Sequence, residues 1–124
     1  MVVDPDEADA ARRYLDEGKV EIVEAPLDDS WMRDIGPTFV VDDSGQLGAV
    51  DWVFNGWGGQ PWATWDKDER IGAFVAERAG AKVEASPMVN EGGAIHVDGL
   101  GTVLVTETVQ LDPHRNPGWT KADV

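Results

Sequence analysis

Apolar and charged residues alternate along Val20-Glu21-Ile22-Val23-Glu24-Ala25, the period-two pattern of a half-buried strand, and Pro26 ends it. Ahead of that strand, Asp4-Pro5-Asp6-Glu7 combines a capping residue, a first-turn proline and acidic groups suited to the positive end of a helix dipole. A helix is therefore expected from there through Ala8 to Glu17, with Gly18 as its stop. Thr38-Phe39-Val40-Val41 and Leu47 to Phe54 flank the turn residues Asp42-Asp43-Ser44-Gly45 and predict a hairpin. Asp66-Lys67-Asp68-Glu69 opens a second helix, in which Ile71, Phe74, Val75 and Ala79 keep helical spacing and Gly80 closes the run. Ala81 to Ala85 reads as a short strand. Ala94-Ile95-His96-Val97 and Thr102-Val103-Leu104-Val105-Thr106 then form a second hairpin around Asp98-Gly99-Leu100-Gly101.

The order is strand, acidic loop, hairpin and helix, then strand, acidic loop and hairpin again. This is an architectural repeat of α/β type without internal sequence identity. The first acidic loop, Asp28-Asp29-Ser30-Trp31-Met32-Arg33-Asp34, sits between a strand and the first hairpin, where a rigid scaffold can aim its side chains. Three aspartates around a tryptophan read as a binding site. Asp34 can accept two parallel hydrogen bonds from a guanidinium, and the Trp31 indole can cover a cation or its alkyl chain, an attraction of about 0.5–2 kcal/mol. A plainer alternative has Arg33 pairing with a neighbouring carboxylate at a turn while Trp31 fills core.

The second loop, Asn90-Glu91-Gly92-Gly93, lets the backbone turn sharply and present the Glu91 carboxylate to a substrate or to an imidazole. His96 and Asp98, two apart on the following strand, share a face and suggest an acid–base pair, although a histidine in a hairpin is more often structural and no third metal ligand is near. Between the hairpin and the second helix, Asn55-Gly56-Trp57-Gly58-Gly59 with Trp52, Trp62 and Trp65 makes an irregular aromatic segment suited to walling a pocket. For Trp62 and Trp65 the simpler role is capping core.

Composition narrows the classes. The 124 residues carry 10 basic and 24 acidic side chains, a formal charge of −14, which repels nucleic acid and attracts small cations. There is no cysteine, so disulfides, thiolate metal sites and a thiol nucleophile are excluded for this chain. No basic and apolar leader and no run of about 20 apolar residues is present, so a cytoplasmic protein with no membrane partner is expected.

With these residues assembled, the sequence resembles the agmatine deiminase family, related to bacterial peptidylarginine deiminases within the guanidine-modifying pentein superfamily. The resemblance spans nearly the whole chain. It rests on Trp31-Met32-Arg33-Asp34-Ile35-Gly36-Pro37-Thr38-Phe39, Asp51-Trp52-Val53-Phe54-Asn55-Gly56-Trp57-Gly58-Gly59, Trp65-Asp66-Lys67-Asp68, Glu91-Gly92-Gly93-Ala94-Ile95-His96-Val97-Asp98-Gly99 and Arg115-Asn116-Pro117. It implies an incomplete pentein-type α/β propeller of about two ββαβ modules, with residues 1–124 a partial catalytic domain. It also implies hydrolysis of an amidine C–N bond without metal or organic cofactor. In the family a cysteine thiolate attacks the guanidinium carbon of agmatine, ammonia leaves, and water releases N-carbamoylputrescine. Asp34 resembles the carboxylate that grips the guanidinium, Glu91 the carboxylate that supports the catalytic histidine, and Trp31 a residue lining the substrate channel. The cysteine and that histidine are expected outside this chain, which ends in Lys121-Ala122-Asp123-Val124 as a piece of a longer parent, homo-oligomeric or not. His96-Val97-Asp98 imitates the family's His-x-Asp motif but is not assigned as the catalytic pair. Two other readings stand: a guanidinium- or polyamine-binding module without catalysis, and an enzyme acting on peptidylarginine.

Overall fold

A computed structural model describes residues 1–16 and 18–124. Its opening strand β1, Val2–Val3, runs parallel to β2, Val23–Glu24, a pairing the alternation at 20–25 did not reveal because each partner is only two residues long. Between them Asp4 caps a 3₁₀ turn, Pro5–Glu7, by accepting from the Asp6 N–H, and helix α1 follows over Ala8–Tyr14. The helix stops short of its expected end. Leu15 is already extended, and Asp16 gathers the chain into a turn by accepting from Gly18 and, through its carbonyl, from Lys19 and Val20, the local competition that makes aspartate a poor helix interior residue. Glu17, the last residue of the expected helix, lies outside the described residues.

After β2 a helical turn α2, Met32–Ile35, carries Asp34, and the strand β3, Thr38–Val41, returns antiparallel along β4, Leu47–Val53. The hairpin is where the apolar pattern put it, closed by Gly45 at φ 81°. Strand β4 leads into a four-residue turn α3, Gly56–Gly59. A 3₁₀ turn, Asp68–Arg70, then opens helix α4, Ile71–Arg78, which packs on the sheet and delivers β5, Lys82–Val89, parallel to β4. Strands β3 and β4, helix α4 and strand β5 thus form one complete ββαβ unit. The antiparallel hairpin β6, Ile95–Val97, and β7, Val103–Val105, opens another, and α5, Glu107–Gln110, follows it. The α/β architecture and the alternation of hairpin and helix match the expectation from the repeat. Strand β5 is longer than the expected 81–85, because pairing with β4 carries it on to Val89.

A small core of Ala25, Ile35, Phe54 and Ile71 joins these pieces, with Met32, Trp57, Trp65, Phe74 and Val75 packed around it. Its location positions the site. Ile35 is buried directly beside Asp34, so α2 is pinned by its apolar face while the aspartate projects from the other. Among the described residues no helix is long and apolar enough to cross a membrane.

Candidate active site

The two acidic loops meet. Each lies between the end of one strand and the start of a hairpin, so the architectural repeat brings α2 against the 3₁₀ turn Gly92–Ala94. The contact is so close that a Cβ on Gly92 would fall 2.3 Å from the Arg33 carbonyl oxygen, and one on Gly93 would fall 2.6 Å from Asp34 Oδ1. The pair of glycines is therefore required by proximity, and it sets Glu91 beside Asp34.

Asp34 is half-buried and its Oδ2 accepts from the indole N–H of Trp57 at 3.1 Å. Trp57 reaches it from an unusual backbone. All four residues of α3 have positive φ, with Trp57 at φ 57° and ψ 42°, so the segment is one turn of left-handed helix closed by Gly59 N–H to Asn55 O and Gln60 N–H to Gly56 O. Only the flanking glycines adopt this without penalty, and a tryptophan held there carries strain of about 1–2 kcal/mol. The indole is fixed on both sides, edge-on to Phe54 at 5.0 Å and stacked on Trp62 at 5.2 Å. Trp65 lies over Gly56, where a Cβ would be 2.2 Å from its ring. Trp65 thus caps core as expected, whereas Trp62 is 67% exposed and serves as a stacking partner.

Glu91 is 4% exposed, and its Oε1 accepts from Arg115 Nε at 2.9 Å. Burial pushes its carboxyl above the ordinary carboxylate range; Arg115 opposes that shift and the charge of Asp34 adds to it. Arg115 is itself held from behind, its Nη1 donating to Asp112 Oδ2 at 2.5 Å, while Asp112 Oδ1 accepts from the His114 N–H. The segment carrying Arg115 is tied down by Asn116. That side chain brackets Val89, accepting from its N–H at 2.9 Å and donating to its carbonyl at 2.8 Å, and also donates to Gln110 O. Buried Gln110 in turn donates to Asn90 Oδ1 at 2.7 Å. Asn55 donates to His114 O, so the left-handed turn and the Arg115 segment are joined as well.

The remaining acidic residues of the first loop have structural work. Asp68 is buried and accepts from the backbone N–H groups of Asp28 at 2.8 Å and Asp29 at 3.1 Å, while Asp28 accepts from Lys67 N–H. Burial raises the Asp68 carboxyl, partly offset by those donors. Asp29 accepts from Ser30 N–H and from the Trp31 indole. The density of charge that marked this loop as a binding site is thus mostly loop-building chemistry, and Asp34 alone projects toward Glu91. Arg33 makes no ion pair among the described residues, and Trp31 is 56% exposed, so the turn-pairing and core-filling alternatives both fail. The Trp31 ring is open to solvent while its indole N–H is held by Asp29. A cavity of about 570 Å³ is lined by Val2, Asp4, Asp28, Asp29 and Lys67 among others, and Asp34 is not part of its wall.

His96 and Asp98 do not form a pair. Strand β6 ends at Val97, Asp98 builds the hairpin turn by accepting from Leu100 and Thr102 N–H, and those donors hold its carboxyl below the usual range. His96 is exposed rather than turned into the hairpin core. Sequence reasoning missed three contributors: Trp57 as the donor to Asp34, Arg115 as the partner of Glu91, and Asp68 as the anchor of the first loop. Arg115 and Asp68 lie 24 and 40 residues from the groups they serve, a distance no local pattern spans.

The whole chain, residues 1–124, matches the Porphyromonas-type peptidyl-arginine deiminase family, and it belongs to that family. It is 60% identical over all of its length to a putative agmatine deiminase of Streptomyces avermitilis, covering 36% of that protein. Against the agmatine deiminase of Pseudomonas putida it is 44% identical over 92% of this chain and 32% of the relative. The agmatine deiminase of Enterococcus faecalis superimposes with a TM-score of 0.90 at 37% identity, over 98% of this chain and 34% of that structure. A putative arginine deiminase of Porphyromonas gingivalis gives a TM-score of 0.82 at 28% identity, over 98% and 37%. The fold is that of a partial pentein-type propeller, and the chain spans about a third of the length of the relatives it matches.

Proposed function

We propose that this chain supplies the guanidinium-gripping carboxylate, Asp34, and the carboxylate that supports the catalytic base, Glu91, of a hydrolase that deiminates agmatine to N-carbamoylputrescine and ammonia, a step of putrescine and polyamine formation in the cytoplasm. The observation that carries the reading is the convergence of Asp34 and Glu91, delivered by two acidic loops that touch through Gly92 and Gly93. A half-buried carboxylate at Asp34 suits a delocalised cation, because each N–H···O⁻ bond to a guanidinium is charge-assisted and directional, and buried Glu91 stands beside it. Trp31 covers the substrate and Trp57 fixes the orientation of Asp34.

The chemistry divides between this chain and groups outside it. A thiolate adds to the guanidinium carbon, ammonia departs after taking up a proton, and water then cleaves the amidino-thioether to the carbamoyl product and free thiol. This chain holds no cysteine, so its own part is to orient the guanidinium and to stabilise its charge. Glu91 is the second carboxylate, placed to support the base that moves protons. The identity of 60% and 44% with proteins named as agmatine deiminases favours agmatine over peptidylarginine. The test is ammonia release from agmatine and from an arginine-containing peptide by a full-length protein that carries this chain. Turnover of agmatine is expected; turnover of the peptide alone would overturn the choice of substrate, and turnover of neither the reaction.

A further inference from the structure

Resting on the reading of Asp34 and Glu91 just given, we infer that Arg115 is a positioning residue for the deimination: it holds Glu91 as an oriented carboxylate beside Asp34. The two acidic groups face each other across the loop contact, and Glu91 is almost wholly withdrawn from water. Each circumstance favours a proton on Glu91, since burial penalises the charged form and a neighbouring carboxylate repels it. A protonated Glu91 can neither pull on a guanidinium nor support an imidazolium.

Arg115 counters both effects. Its guanidinium is split between two carboxylates, Nε to Glu91 and Nη1 to Asp112, and its side chain is 11% exposed. Because Asp112 is anchored by the backbone of His114, and Asn116 clamps the segment to the end of β5, the cation cannot follow an incoming substrate. The close approach of Gly58, where a Cβ would be 3.1 Å from Nη1, closes the remaining side. No other side chain among the described residues bonds Glu91, so the carboxylate has one fixed partner and one edge for the reaction. The titratable and charged groups nearest it are Asp34 and Arg33 from α2 and, from the segment after α5, Arg115 with its own neighbours Asp112 and His114; of the two arginines, only Arg115 bonds it. A pair buried to this degree gives little net stability compared with apolar packing. Its effect is to fix a charge.

The test is the pH dependence of kcat/KM for agmatine, whose acid limb reports groups of the free enzyme. It is measured in the full-length protein carrying this chain, for the unsubstituted form, Arg115→Met, Arg115→Lys and Glu91→Gln, with folding checked by circular dichroism. Arg115→Met is expected to move the acid limb upward by about one pH unit or more, so that at a pH lying on the limb activity falls roughly tenfold and is recovered in alkali. Arg115→Lys, which keeps the charge, should leave the limb within about half a unit. An unmoved limb in folded Arg115→Met, with Glu91→Gln inactive, overturns the inference and leaves the proposed function standing. Activity of Glu91→Gln equal to that of the unsubstituted protein overturns both. If Arg115→Met does not fold, Arg115→Gln decides in its place, with the same expected rise and the same contradicting result.

Discussion

The indole N–H of Trp57 donates to Asp34 Oδ2 at 3.1 Å from the one non-glycine residue with positive φ among those described. A tryptophan in the left-handed region costs free energy, and the surrounding glycines, Phe54 and Trp62 hold it there. Its donor turns Asp34 so that Oδ1 lies against Gly93, at the second acidic loop. Backbone strain at one residue is thus coupled to the aim of another.

Trp57→Phe keeps the aromatic packing and deletes the donor. Hydrogen bonds to charged groups contribute about 1.5–3 kcal/mol when buried, and this site is half-buried, so a loss near the lower end of that range is expected. Chemical denaturation and KM for agmatine check it: the midpoint should fall modestly while KM rises. An unchanged KM in the folded variant contradicts a role for Trp57 in aiming Asp34.

The two glycines of the second loop should fail differently. Gly92→Ala drives a methyl into the Arg33 carbonyl at 2.3 Å, a backbone obstacle, so stability should drop by roughly 1–3 kcal/mol. Gly93→Ala meets Asp34 Oδ1 at 2.6 Å, which can rotate away. That variant should keep most of its stability and lose activity in the full-length protein. Thermal midpoint and kcat measured together distinguish the two.

Asp51 gives a pH-dependent prediction. Its Oδ1 is buried with no hydrogen-bond partner against Gly72, and burial raises its carboxyl above the usual range. A folded-state value above the unfolded one, about 3.9, means that its favourable contribution is complete below that pH and is lost as pH rises through the folded value. Asp51→Asn should therefore raise the thermal midpoint at pH 7 and confer no such gain below about pH 4. A variant less stable than the unsubstituted protein at pH 7 would contradict this account.

His96 is expected to be dispensable. An exposed strand side chain with no hydrogen-bond partner among the described residues contributes little, so His96→Gln should change stability by less than about 0.5 kcal/mol and leave kcat of the full-length protein within about twofold. Urea unfolding and steady-state kinetics check both. Folded but inactive protein would show that the His96-Val97-Asp98 run carries the chemistry after all.

Local patterns disclosed the hairpins, α4 and the two acidic loops, because alternation, turn residues and helical spacing act over a few positions. The candidates Asp34 and Glu91 stood out for the same reason, each marked by its own loop, and the structure brings those two loops into contact. What escaped was the wiring between loops. Asp28 and Asp29 share the composition of a ligand-binding loop, yet their backbone N–H groups are held by buried Asp68, and only three-dimensional contact separates their setting from that of Asp34. The strand at Val20–Ala25 shrank to two residues because only Val23 and Glu24 find a partner, in Val2 and Val3. The imitation of a catalytic motif by His96 and Asp98 dissolved once Asp98 was seen to close a turn.

The central claim, that Asp34 grips the guanidinium, is tested most directly by kcat/KM for agmatine in the Asp34→Asn variant of a full-length protein carrying this chain. An amide in the same place accepts from Trp57 but cannot return the charge of a bidentate guanidinium partner. With about 1.5–3 kcal/mol at stake, kcat/KM should fall roughly 10- to 150-fold while the thermal midpoint stays nearly unchanged. A folded Asp34→Asn protein within about twofold of the unsubstituted kcat/KM would contradict the account.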